Sequence, residues 1–162
     1  MAAILLFAYL SCFTYKVEAV PKLSSTELDN ILNKDGLKGF LNAQKKEAIL
    51  LEFYSEMCGS CKAFTPKLEA LHKKIVSDKE DLPVYKINID DKDGMQLASK
   101  ENALEDGIPN LRVYTVDGEN KLQFKDLIEN EQRMDDSYDS PKKILSKVKS
   151  FLKEKRNRKT DL

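Results

Sequence analysis

The stretch Leu50-Leu51-Glu52-Phe53-Tyr54-Ser55-Glu56-Met57-Cys58-Gly59-Ser60-Cys61-Lys62-Ala63-Phe64-Thr65-Pro66 decides how this chain reads. An apolar run ends in a Cys-x-x-Cys, and an amphipathic segment follows. Phe64, Leu68, Leu71 and Ile75 fall at helical spacing, which predicts a helix after the cysteines. Cys58 then sits at the N-terminus of that helix. Unpaired N–H groups and the positive end of the helix dipole favour a negative charge there. The Cys58 thiol is therefore expected to ionise below its ordinary range. Cys61 lies one helical turn on, close enough to attack a sulfur on Cys58, which is the geometry of a dithiol that exchanges disulfides. A Cys-x-x-Cys is also half of a zinc site, but zinc needs two more ligands. The remaining candidates are Cys12, in an apolar N-terminal run, and His72, about three turns past Cys61. The redox reading is preferred, and no metal is expected.

Upstream, Ala48 to Tyr54 is nearly continuous apolar sequence of strand length, as expected for a central strand covered on both faces. Glu52 interrupts it. A lone carboxylate inside a buried strand is costly unless it is paired or protonated. An exposed strand end or a structural salt bridge would also account for it.

At these residues the sequence resembles the thioredoxin superfamily, and within it the domains of protein disulfide isomerases. Glu-Phe-Tyr-x-x-x-Cys-Gly-x-Cys-Lys, from Glu52 to Lys62, is similar to the isomerase active-site segment. Pro66 matches the proline that kinks the active-site helix. Lys86-Ile87-Asn88-Ile89-Asp90 resembles the third strand, and Gly107-Ile108-Pro109-Asn110-Leu111 resembles the loop carrying the family's cis-proline. The likeness covers roughly Asp35 to Lys155, with its landmarks in the family's order. There are departures. Met57 stands where the family usually has tryptophan, and the chain contains none. Ser60 replaces the histidine of the isomerases and the proline of thioredoxin. The stretch from Lys86 to Pro109 is longer than usual.

The resemblance implies an α/β thioredoxin fold, a central mixed β-sheet flanked by helices on both faces. It implies that Cys58 is the nucleophile and that Cys61 resolves the mixed disulfide. Glu52 resembles the buried acid that moves protons for the resolving cysteine, and Lys86 matches its charge partner. Desolvation should raise the Glu52 pKa, as suits a general acid/base near neutral pH. Pro109 would shape the groove beside Cys58, and Ile108 would offer backbone polar groups to an extended substrate. Met57, Gly59 and Ser60 complete the active-site loop. Serine at position 60 offers the Cys58 thiolate only a neutral hydrogen bond.

Elsewhere, Ser24 and Glu27 fit a capping box before Leu28, Ile31 and Leu32, predicting a short helix. Asp35-Gly36 predicts a break, and Leu37, Phe40 and Leu41 begin a second helix ending near Lys46. Leu82 to Ile89 alternates as a strand, with Tyr85, Ile87 and Ile89 on one face. Asp90 to Gly94 superficially resembles a calcium loop. Ile89 and Lys100 occupy positions that would need oxygen ligands, so it reads as a solvated turn and helix cap. Met95 to Leu104 predicts a helix. Leu111 to Val116 and Lys121 to Phe124 flank a hairpin turn. Asp126 to Asp139 reads as a long surface loop. The isomerases carry a loop arginine near the position of Arg133 that tunes the resolving cysteine, but the preferred reading of Arg133 here is an ordinary solvated arginine. Pro141 starts a helix whose apolar stripe is Ile144, Leu145, Val148, Phe151 and Leu152.

Residues 1–19 read as a secretory signal peptide ending at Val17-Glu18-Ala19, residues 20–34 as an N-terminal extension, and residues 35–156 as the thioredoxin-like domain. Residues 157–162 form a tail whose Lys159-Thr160-Asp161-Leu162 resembles an endoplasmic reticulum retrieval signal. Together these predict a location in the lumen of the endoplasmic reticulum, with no membrane span once the signal is removed. The 27 basic and 27 acidic residues balance, which argues against nucleic-acid or anionic-membrane binding.

The predicted function is thiol-disulfide oxidation, reduction or isomerisation in folding proteins, by a monomer whose only cofactor is its own Cys58–Cys61 disulfide. Its partners would be cysteine-containing clients and an upstream oxidant or reductant, glutathione or an oxidase. The alternatives are a dedicated thioredoxin-like reductase for one client and a chaperone or binding module whose dithiol is incidental.

Overall fold

Seven consecutive residues, Ala48–Tyr54, form strand β1, and all of them are buried. A strand without a polar face must be covered on both sides. In the computed structural model, which describes residues 19–157, β1 pairs in parallel with β2 (Val84–Asn88) and antiparallel with β3 (Asn110–Val116). β4 (Leu122–Asp126) pairs antiparallel with β3, giving a mixed sheet of order β2-β1-β3-β4. The predicted hairpin turn closes β3 onto β4, with the Asp117 N–H donating to the Lys121 carbonyl at 2.9 Å. On the outer edge of β2, the Lys86 N–H donates to the Pro21 carbonyl at 2.9 Å, and the Leu23 N–H donates to the Lys86 carbonyl at 3.0 Å.

Alternation along the strands sorts side chains into two layers. Ala48, Leu50, Val84, Leu111 and Val113 pack with helices α3 (Gly59–Ser77) and α6 (Pro141–Asn157). Helix α3 contributes Phe64, Leu68, Leu71 and Ile75, the stripe expected from its spacing, and α6 contributes Ile144, Leu145, Val148 and Phe151. Ile49, Leu51, Phe53, Ile87 and Tyr114 face the other way. They meet α1 (Ser25–Asn30), a π-helical turn at Ile31–Asp35, α2 (Gly36–Ala43) and α4 (Lys92–Lys100). The expected capping box of Ser24 and Glu27 starts α1.

The expected break falls at Gly36, whose backbone (φ 66°, ψ −170°) leaves the helical region between the π-helical turn and α2. Other expectations are corrected. Helix α4 begins at Lys92 and ends at Lys100, not at Met95 and Leu104. Gly94, expected in a solvated turn, lies within the first turn of α4, where the helix packs against the end of β2. The segment Asp126 to Asp139 is not a surface loop. β4 claims Asp126, helix α5 (Asn130–Asp135) follows, and Leu127, Ile128, Gln132, Arg133 and Tyr138 are buried. A helix of six residues is too short for periodicity to announce it, and its capping box uses Glu129 and Gln132 rather than a serine or threonine.

The predicted signal peptide, apart from Ala19, and the tail beyond Asn157 lie outside the described residues. Among the described residues, no helix is long and apolar enough to cross a membrane.

A Cβ built on Gly94 would lie 1.9 Å from the Asn88 carbonyl oxygen and 3.3 Å from Ile87 Cγ2. Both neighbours are held in the sheet. Gly94→Ala should therefore force α4 off β2 and cost about 1–3 kcal/mol. Urea unfolding should show the midpoint falling at unchanged slope, and an unchanged midpoint would refute this packing.

Candidate active site

Cys58 is the N-cap of α3, in extended conformation (φ −83°, ψ 120°), and its sulfur accepts the Cys61 N–H at 3.1 Å. The two cysteines form a disulfide, with Cα atoms 5.2 Å apart. Cys58 is half-buried, whereas Cys61, one turn into the helix, is only 2% exposed. An incoming thiolate thus has access to the Cys58 sulfur and little to that of Cys61. Across the groove the Ile108–Pro109 peptide is cis, Pro109 is buried, and the Ile108 carbonyl oxygen lies 3.8 Å from Cys58 Sγ. Gly107 precedes this pair at φ 85°, a backbone state that a side chain would strain. Met57 projects beside the disulfide at 87% exposure.

The turn between β1 and α3 is pinned from outside by Asp90, expected at the end of the strand Lys86 to Asp90 and the start of a solvated turn. One Asp90 carboxylate oxygen accepts the Ser55 hydroxyl at 2.7 Å, and the other accepts the Glu56 N–H at 2.8 Å. Ser55 Oγ in turn accepts the Met57 N–H at 3.0 Å, and the Cys58 N–H donates to the Ser55 carbonyl at 3.3 Å. Asp90 reaches this turn because β2 runs parallel to β1, with Tyr54 opposite Asn88. Asp90, Asp91 and Lys92 are exposed, as expected, but Asp90 also positions the turn leading to Cys58.

Glu52 is fully buried. By alternation from Leu50 its side chain enters the layer of α3, the helix that carries Cys61. Lys86, opposite it in the parallel register, places Nζ 3.4 Å from Glu52 Oε2. That exceeds the usual length of a charge-assisted hydrogen bond, about 2.7–2.9 Å. Neither Glu52 oxygen has a hydrogen-bond partner among the described residues. Desolvation pushes the carboxyl up to about 7, and the charge of Lys86 offsets only part of that rise. Lys86 Nζ also sits 4.1 Å from the centre of the Tyr54 ring.

Arg133 is buried, not solvated, and belongs to the site. Its Nε donates to the Pro109 carbonyl at 2.9 Å and its Nη1 to Asn130 Oδ1 at 2.6 Å, while Nη2 is buried with no partner among the described residues. Burial lowers its pKa. In the disulfide form the Ser60 hydroxyl donates to the Arg133 carbonyl at 3.4 Å. The Tyr138 hydroxyl lies 3.1 Å from the Ser60 carbonyl, and its ring stacks edge-on against Phe64 with centroids 4.9 Å apart. The sequence signals for this arrangement are the family's loop arginine near this position and the apolar Leu127, Ile128 and Tyr138 inside an otherwise polar segment.

Asp90→Ala removes both acceptors of the turn. It should move the pH midpoint for alkylation of reduced Cys58 upward and cost about 1 kcal/mol of stability, with Asp90→Asn recovering part of each. An unchanged alkylation profile in a folded Asp90→Ala protein would show that the turn holds itself. Glu52 makes stability fall as pH rises. Its folded pKa lies above its unfolded one, so the native state binds more protons between roughly 4.5 and 7, and that stabilisation is lost as pH climbs through 7. The shift corresponds to about 3 kcal/mol. Glu52→Gln should therefore gain stability relative to wild type between pH 5 and pH 8. Parallel stability-against-pH curves for the two proteins would remove Glu52 as the titrating group.

The chain matches the thioredoxin family model over residues 30–133, more than half its length. Protein disulfide-isomerase 1 of Dictyostelium discoideum is 34% identical over 86 residues, which cover 51% of this chain and 23% of that protein. Thioredoxin-T of Drosophila melanogaster is 30% identical over 74 residues, or 46% of this chain and 45% of its own length. This chain spans a quarter or less of the isomerases it matches. Among solved structures, the Trx4 domain of ERdj5 superposes with a TM-score of 0.56 at 17% identity, covering 83% of this chain and 96% of that one. The first thioredoxin domain of mouse Protein disulfide-isomerase A4 gives 0.53 at 23% identity, over 85% and 82%. At such identities the superpositions speak to the fold, and the family model speaks to descent: the chain belongs to the thioredoxin family.

Proposed function

We propose that this thiol-disulfide oxidoreductase forms, reduces or isomerises disulfides in secretory-pathway proteins, within the lumen of the endoplasmic reticulum. The observation that carries the reading is the half-exposed Cys58 capping α3, disulfide-bonded to a buried Cys61 and facing the Ile108 carbonyl. The location is supported by the apolar N-terminus, the Lys159 to Leu162 tail and the isomerase names of several relatives.

In the oxidising direction a client thiolate attacks Cys58 Sγ. A client–Cys58 bond forms, the Cys58–Cys61 bond breaks, and Cys61 leaves as a thiolate that takes up a proton. A second client thiolate then attacks the client sulfur of the mixed disulfide and displaces Cys58. The client loses two electrons and two protons, and the cysteine pair gains them. The Cys61 N–H, directed at Cys58 Sγ, stabilises the departing Cys58 thiolate. Glu52, titrating near 7, supplies or accepts the proton of Cys61, and Lys86 balances its charge. The backbone of Ile108, beside cis Pro109, receives an extended client segment. Met57, Gly59 and Ser60 line its approach. Running the steps backward reduces a client disulfide, and attack without net transfer isomerises one. The domain works as a monomer with no cofactor beyond its own disulfide, and an upstream thiol or disulfide partner resets it.

Cys61→Ser should accumulate mixed disulfides with client proteins after rapid thiol blocking, and Cys58→Ser should not. Non-reducing electrophoresis reads the difference. Trapping by Cys58→Ser instead would reverse the roles, and trapping by neither would remove the exchange reading.

A further inference from the structure

The groups around the dithiol are unusual in polarity. Met134 and Met57 are the most exposed large apolar side chains among the described residues, at 88% and 87%. Both flank the reactive pair. Met57 directly precedes Cys58, and Met134 follows Arg133, whose carbonyl accepts the Ser60 hydroxyl. A thioether held in water contributes nothing to the core, whereas methionine at a surface adapts to varied apolar partners.

The methionines are set among carboxylates. Exposed Glu131 lies about one helical turn from Met134 on α5. Exposed Asp135 and Asp136 follow, and Asp136 Oδ1 lies 3.1 Å from the same Tyr138 hydroxyl that contacts the Ser60 carbonyl. Exposed Asp106, on the cis-proline loop, is the carboxylate that acts most strongly on Arg133. Few cations oppose them. Arg133 is buried, Lys22 is held by Glu56 at 2.9 Å, and Lys62 stands exposed. The basic residues gather instead on α6, where the sequence PKKILSKVKSFLKEKRN holds seven Lys and Arg against one Glu. The chain as a whole is neutral, so this is a local field at the disulfide and not a property of net charge.

We propose that the dithiol selects cationic cysteine-containing segments that carry apolar side chains, and discriminates against anionic disulfides of the glutathione class. This rests on the exchange reading given above and names its substrate class. A cationic segment is concentrated at the acidic rim before reaction, and its apolar side chains settle on Met57 and Met134. Reduced Cys58 then attacks one sulfur of the bound disulfide, whose other sulfur leaves as a thiolate. Cys61 attacks Cys58 Sγ, releases the first sulfur, and closes the Cys58–Cys61 bond. The protein dithiol is oxidised and the substrate disulfide reduced.

The full chain, reduced and freed of reductant, is mixed in single turnover with cystamine (cationic), hydroxyethyl disulfide (neutral) and glutathione disulfide (anionic). Alkylation of the peptide holding Cys58 and Cys61 follows its oxidation. Each rate is divided by that of dithiothreitol with the same disulfide, which removes intrinsic leaving-group differences. The normalised cystamine-to-glutathione ratio should be about tenfold at low ionic strength. It should approach one near 1 M salt, where the Debye length is about 3 Å. Asp106→Lys and Glu131→Lys should each lower the low-salt ratio severalfold. A disulfide-linked peptide with arginine and leucine beside its cysteine should outpace cystamine, and Met134→Ser should remove about fourfold of that advantage, the worth of roughly one buried methylene. A ratio of one or below at low salt, a ratio indifferent to salt, or one unmoved by both charge reversals would overturn the charge selection. An unchanged peptide advantage in Met134→Ser would overturn the apolar contact. Failure of hydroxyethyl disulfide to oxidise the pair would overturn the exchange reading itself, so the failures are separable.

Discussion

Strand β1 is hydrogen-bonded along both edges and covered on both faces, and its register leaves no freedom at Tyr54. A slip of one residue would send Leu50 and Glu52 into the layer of α4 and bring Ile49 and Phe53 under α3. The end of the strand is therefore fixed, and only Ser55, Glu56 and Met57 separate it from the cap of α3. So short a turn transmits the strand's position to Cys58, and Asp90 removes the remaining slack by binding both the Ser55 hydroxyl and the Glu56 N–H. Capping then follows from geometry. An extended residue placed at the head of a helix presents its side chain to the N–H groups of the first turn, and the sulfur of Cys58 finds that of Cys61.

The same burial that fixes β1 works against Glu52. An ionised carboxylate without hydrogen-bond donors is strongly disfavoured in such an interior. Lys86 is present, but at 3.4 Å it offers charge without a well-formed hydrogen bond. The group settles between these pressures, with a pKa of about 7, where either protonation state is accessible. A hydrophobic residue at this place would suit the sheet better. The fold tolerates the acid because the rest of β1 is apolar and paired on both sides.

The legible parts of the chain were those where one element contains its whole signal. The stripe from Phe64 to Ile75, the apolar run of β1 and the hairpin around Asp117-Gly118 carry periods or turn residues that the structure keeps. The cis-proline and the cysteine pair were legible by family likeness. The Asp90 clamp was not, because an aspartate after a strand looks the same whether it faces water or a neighbouring turn. Its role depends on the Tyr54–Asn88 register, a contact 34 residues apart in sequence. Gly94 was misread for a related reason. Its lack of a side chain serves the approach of α4 to Asn88 rather than a turn, and only the packed helix reveals this.

Arg133 shows the same limit at the site itself. Its polar neighbours Asn130, Glu131, Asp135 and Asp136 suggest solvent, yet Leu127 and Ile128 on one side and Tyr138 on the other enter the core and draw the arginine in between. Once buried, its guanidinium binds the Pro109 carbonyl, its own carbonyl takes the Ser60 hydroxyl, and Tyr138 reaches the Ser60 carbonyl. One short segment thus touches both the cis-proline loop and the Cys-x-x-Cys turn. Glu52 lies beneath the sheet-facing side of α3, and Arg133 closes the site from the loop side, each buried with a polar atom lacking a hydrogen-bond partner among the described residues. Burial disfavours the charged form of both, raising the acid and lowering the base. In the proposed reaction, positive charge on the arginine favours a thiolate at the cysteine pair, and the carboxylate opposes it once ionised. In the proposed reaction, the protonation of Glu52 then decides how readily the cysteine pair carries negative charge.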